Sequence, residues 1–149
     1  MHKRFSKLSA LVASLFLTLP ALAAHDSLLD HYQAVQTALA QDDLPGAKKG
    51  AEQILKIKSN DSTKKTLEGA RVITQATDLK TARSGFGTLS GGVVTRVKLD
   101  PALQTKWKLY QCPMAKGYQF WLQPEKEGTV KNPYMGSAMQ TCGMGKPWG

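Results

Sequence analysis

The chain has 149 residues, 20 Lys and Arg against 11 Asp and Glu, a formal charge of +9, and two cysteines. That length supports one domain with a real core. Beyond the first residues the basic side chains are scattered, in runs no longer than Lys48-Lys49 and Lys64-Lys65, with no arginine strip interleaved with aromatics, so a nucleic-acid surface is not expected.

The N-terminus reads as a leader. His2, Lys3, Arg4 and Lys7 form a basic region, "LSALVASLFLTLP" an apolar one, and Ala21-Leu22-Ala23 the small-residue cleavage site. A membrane span needs about 20 apolar residues, and this run is shorter and broken by Pro20. Residues 1–23 are therefore expected to be a signal peptide and 24–149 a single periplasmic domain, with cleavage after Ala24 as the second choice and no transmembrane segment remaining. Loss of Lys3, Arg4 and Lys7 takes the formal charge from +9 to +6, the charge of a solvated basic surface with at most weak attraction to anionic headgroups.

Residues 24–100 read as helices. Leu28, Tyr32, Val35 and Leu39 are spaced four, three and four apart, one face of a first helix. Ser27 or Asp26 serves as its N-cap, Tyr32 as a core aromatic with its hydroxyl at the surface, and His31 as a surface residue. Asp42-Asp43 marks the helix end. Pro45 suits a first turn ahead of a second face of Ala47, Ala51, Ile54 and Leu55. A third segment from Asp61 offers Leu67, Ala70, Ile73, Thr74 and Thr77, a weaker stripe. The fourth has the cleanest register, with Leu79, Ala82, Phe86, Leu89, Val93 and Val97. It also carries Gly85, Gly87, Gly91 and Gly92, each costing up to about 1 kcal/mol against alanine in a helix. Close helix packing is one reason for them, a break near Gly91 the other. Four stripes with short connections predict a mainly α, up-and-down bundle.

Residues 101–149 differ. They hold all three tryptophans and three of the four tyrosines. "GYQFWLQPEKEGTV" predicts a strand from Tyr118 to Leu122, then a turn around Pro124–Gly128 with Glu125 and Glu127 solvated, and a second strand after it. "KNPYMGSAMQTCG" predicts an Asn-Pro turn leading into a helical turn. This irregular, short-β lobe carries Cys112, Met114, Met135, Met139, Cys142 and Met144, every sulfur beyond the initiator methionine.

Two readings of that sulfur stay open. Two cysteines in an oxidising compartment often pair, and a Cys112–Cys142 bridge would close a loop of 31 residues, worth about 3–4 kcal/mol in the chain-entropy model. The methionines then fill gaps. Alternatively, thiolates and thioethers form a soft-metal site, which favours Cu(I). Cys112 and Met114 are two apart, Met139 and Cys142 three apart on a helical face, and Met135 and Met139 four apart, so Cys112, Met114, Met139 and Cys142 complete a four-sulfur set. Zinc fits less well, since thioethers are poor zinc ligands and no histidine is near. No Cys-x-x-Cys dithiol, phosphate loop, hydrolase triad or paired-carboxylate site is present, so no enzyme is expected. His25 lies at the mature N-terminus or one place inside it, where amine and imidazole together could chelate Cu(II).

The segments "LLDHYQAVQTALAQDDLPGAKKGAEQI" and "YQCPM…WLQ…NPYMGSAMQTCG" resemble a periplasmic domain-of-unknown-function family found beside or fused to CusB-type adaptors of copper and silver efflux systems. The shared positions are Tyr110, Cys112-Pro113-Met114, Trp121-Leu122, Asn132-Pro133-Tyr134, Gly136, Met139 and Cys142-Gly143. "YQCPM" and "CGM" are also similar to small heavy-metal-binding domains, but the paired cysteines of those domains are absent. The family resemblance implies a helical bundle with an appended sulfur motif and a role in envelope heavy-metal handling, with an efflux adaptor or other envelope protein as partner. It implies Cys112, Met114, Met139 and Cys142 as ligands of Cu(I) or Ag(I). Met135, Met144 and His25 are lesser candidates, Met135 standing where relatives carry Phe. The alternative expectation is a disulfide-stapled structural or interaction module without metal.

Overall fold

A computed structural model describes residues 26–117 and 120–149; the expected leader, His25 and the first two residues of the strand expected from Tyr118 lie outside the described residues. Four long helices lead the described chain: α1 Ser27–Ala40, α2 Leu44–Leu55, α3 Lys64–Gln75 and α4 Leu79–Lys98. Each packs on the next and α4 also meets α1, the neighbour pattern of an up-and-down bundle. A short α5, Pro101–Gln104, leads into a lobe of three strands, β1 Trp107–Gln111, β2 Phe120–Pro124 and β3 Met144–Lys146. A 3₁₀ turn, Gly136–Met139, precedes β3. The protein is mainly α, as its periodicity predicts.

The helix ends follow local chemistry. Asp43 caps α2 by accepting a hydrogen bond from the Gly46 N–H at 2.9 Å, ahead of Pro45 in the first turn. Asp78 caps α4 through the Thr81 N–H at 2.8 Å. Asp26 precedes α1 but makes no side-chain cap; its carboxylate instead pairs with Arg96 of α4 at 2.6 Å.

The predicted stripes become the core. Leu28, Tyr32, Val35, Leu39, Ala47, Ala51, Ile54, Leu67, Ala70, Ile73, Ala82, Phe86, Leu89, Val93 and Val97 are all buried, while Thr77 lies beyond the end of α3, exposed. α4 runs unbroken through Gly91 and Gly92. Its glycines serve close packing: a methyl group at Gly69 of α3 would strike the Leu89 N–H and the Gly85 carbonyl, so the two helices touch backbone to backbone.

In the lobe, β1 is the central strand, antiparallel to β2 on one side and to β3 on the other. The strand expected after Pro124–Gly128 therefore does not form the sheet. The partner of β2 is β1, and the second edge is a three-residue strand near the C-terminus. Glu127 is not simply solvated. It accepts from the Gln33 side chain at 2.6 Å and pairs with Lys131 at 3.3 Å, tying the turn to α1.

Bundle and lobe share one core. Trp107, Leu109, Tyr110, Cys112, Trp121 and Leu122 are continuous with the helix faces. Tyr32 stacks on Phe86 at 5.4 Å between ring centroids and meets Trp107 edge-on at 6.3 Å; Phe86 in turn meets Tyr134, and Tyr134 meets Trp121. The Tyr32 hydroxyl is not at the surface. It accepts from the Leu122 N–H at 2.9 Å and donates to Ser90 Oγ at 2.9 Å, and Ser90 donates to the Phe120 carbonyl at 3.0 Å. Burial pushes the phenol far above its ordinary value, with these hydrogen bonds only partly opposing.

Candidate functional site

Cys112 follows the last residue of β1, and Ala115 closes the turn after it with an N–H to the Cys112 carbonyl at 3.3 Å. Cys142 follows the 3₁₀ turn, its N–H donating to the Met139 carbonyl at 3.0 Å. The register of β3 on β1 pairs Met144 with Gln111, so the residues flanking that pair converge. The Cys112 and Cys142 sulfurs lie 3.0 Å apart as free thiols.

Asn132 builds the connection between the two segments. Its Nδ2 donates to the Cys142 carbonyl, its Oδ1 accepts from the Tyr134 and Met135 N–H groups at 2.8 and 3.1 Å, and its own N–H reaches the Gln140 carbonyl at 2.7 Å. The Asn-Pro turn is thus folded around a side chain with no exposed surface. Gly136 continues that turn at φ +59°, where a side chain would also collide with Asp42 and Arg83. Asp42, itself at φ 59°, binds Arg83 of α4 and the hydroxyl and N–H of Ser137. The reading of Asp42 as an ordinary helix end missed this clamp.

Electrostatics distinguish the two thiols. Burial alone would raise the Cys112 thiol. The Cys142 thiol, the Met114 and Ala115 N–H groups and the Asn132 side chain all donate to its sulfur and hold it below the usual range. Cys142 is pushed up by sharing its proton with Cys112, by desolvation and by the Cys112 charge. Cys112 is fully buried and Cys142 partly exposed.

The predicted sulfur set divides. Cys112 and Cys142 meet. Met114, with Met135, lines an open cleft of about 400 Å³ beside Lys80, Arg83 and Lys116. Met139 and Cys142 do not share an α-helical face, because the segment is a 3₁₀ turn ending at Met139. Met114, Met139 and Met144 do not fill core gaps, being 61%, 40% and 53% exposed, whereas Met135 is half-buried and packs against the core. Among the described residues no three or more His, Cys, Asp or Glu side chains converge as a metal cage. His25 lies outside the described residues. No described helix is long and apolar enough to cross a membrane.

A family model described as a protein of unknown function (DUF3347) matches residues 28–105, which covers the bundle and stops short of both cysteines. No curated protein and no solved structure matches the chain.

Proposed function

This chain belongs to the DUF3347 family, and from the sulfur chemistry appended to its bundle we propose that it is a periplasmic heavy-metal-binding protein that holds Cu(I), or Ag(I), as cargo rather than acting as an enzyme. Cys112 and Cys142 are the anchoring thiolates, and Met114 and Met139 supply thioether ligands or the path to them. The observation that carries this reading is the exposure of the methionines: Met114, Met139 and Met144 stand at the surface in the segments that bear the two cysteines. A thioether in water gains nothing from packing, whereas it is a fitting ligand for a soft monovalent ion. Two thiolates with no third or fourth His, Cys or carboxylate beside them among the described residues also suit Cu(I) better than zinc, which takes four such ligands in structural sites.

The donors around Cys112 support the same reading, since they favour the deprotonated sulfur a metal needs. The leader-like N-terminus supports a periplasmic address. The likeness of the "CPM" and "NPYMGSAMQTCG" segments to the family beside CusB-type adaptors supports an efflux adaptor as partner. Competition against a chromophoric Cu(I) chelator tests the proposal. Reduced wild-type protein should withhold close to one equivalent of Cu(I), and the Cys112→Ser/Cys142→Ser variant should yield it freely. Equal loss from both proteins would refute metal binding at this pair.

The 3.0 Å sulfur separation favours a second reading, a metal-free interaction module stapled by a Cys112–Cys142 disulfide. Alkylation and intact mass of protein taken directly from the periplasm separate the two readings: a fully bridged population indifferent to copper favours the staple.

A further inference from the structure

We propose that Cys112 and Cys142 form a thiol–disulfide exchange site for small external disulfides, with Cys142 as the entry sulfur and Cys112 as the resolving sulfur. This goes beyond metal binding and holds for the metal-free protein. Two features of the site lead to it.

The sulfurs are 3.0 Å apart, about 1 Å beyond a disulfide bond length of about 2.05 Å, so pairing them demands little movement of either segment. Their accessibility is unequal. Cys112 has no exposed surface, whereas Cys142 is partly exposed. An incoming disulfide therefore meets Cys142 first.

The chemistry balances in two steps. Cys142 gives up its proton and, as the thiolate, attacks one sulfur of the external disulfide. The external S–S bond breaks, a mixed disulfide forms, and the first external thiol leaves with the Cys142 proton. Cys112 then attacks the Cys142 sulfur, expels the second external thiol, which takes the remaining proton, and closes the Cys112–Cys142 bond. The protein loses two electrons and the external disulfide gains them, becoming two thiols. Oxidation in this way removes both thiolates from a bound soft ion at once, which couples redox poise to metal release.

The test uses the full, prereduced, metal-free chain exposed to glutathione disulfide, quenched by alkylation at intervals and read by intact mass and peptide mapping. Wild type should lose both thiols together and retain no glutathione. Cys112→Ser should retain one glutathione on Cys142, for want of a resolving sulfur. Cys142→Ser should react at least about tenfold more slowly, its remaining sulfur being buried. In wild type the earliest adduct should map to Cys142, a readout independent of how well either variant folds. A lasting adduct on wild type, persistence of both thiols, equal rates for the two variants, or a first adduct on Cys112 would each overturn the proposal. Failure to withhold Cu(I) from the chelator would leave these outcomes unchanged, so the two ideas fail separately.

Discussion

Asp42, in the corner between α1 and α2, accepts hydrogen bonds from both the N–H and the hydroxyl of Ser137, 95 residues further along the chain. Arg83 closes the same carboxylate from α4 and also donates to the Pro133 carbonyl at 3.0 Å. One surface acid thus fastens the turn between Asn132 and Cys142 to the bundle.

The Ser137 hydroxyl, then Arg83, holds the Asp42 carboxyl below the usual carboxylate range. The unfolded chain therefore binds this proton more readily than the folded one. The clamp contributes its full stabilisation above the ordinary carboxyl value of about 3.9, and loses it as pH falls through the depressed native value. Asp42→Asn should lower the urea midpoint at pH 7, and the gap from wild type should narrow progressively in acid. A gap independent of pH would show that the charge on Asp42 is not what holds the turn.

Tyr32→Phe should cost about 1–3 kcal/mol, because it leaves the Leu122 N–H without its acceptor and Ser90 without its donor inside the core. Urea unfolding followed by circular dichroism measures this. The loss should be accompanied by weaker hydrogen-exchange protection at Leu122, in the strand that the hydroxyl pins to α1 and α4.

Two glycines should respond with opposite signs. Gly69→Ala drives a methyl into the backbone of α4 and should destabilise by about 1–3 kcal/mol. Gly91→Ala meets only the flexible end of Lys65, and the better helix former should leave stability unchanged or raise it by up to about 1 kcal/mol. Thermal melts of the two variants, compared directly, check the contrast.

The bundle was legible because its information is periodic. Leu79, Ala82, Phe86, Leu89, Val93 and Val97 repeat at helical spacing, and all but the first are buried. The convergence of the two thiols was legible because only two exist and both sit in linked motifs. The sheet was harder to read. Met144–Lys146 has three exposed residues and no alternation that would mark a strand, and its place is set by β1, more than 30 residues away. Tyr32 on its helix face signals burial but not the polar partners awaiting its hydroxyl, which come from α4 and β2. Asp42 carries no local sign of its role, since Ser137 and Arg83 reach it only after folding.

Trp121 gives this molecule its own optical gauge. Its ring is fully buried, stacked on Tyr110 at 5.5 Å between centroids, and so close to Gly143 that no side chain would fit there. Gly143 adjoins Cys142, so the indole lies beside the segment that carries this thiol. Thiols quench indole emission at contact, and a heavy ion such as Ag(I) quenches it by another route. If the pair oxidises or takes up a soft ion as proposed, the Trp121 share of the chain's emission should change with it, a signal that needs no attached dye.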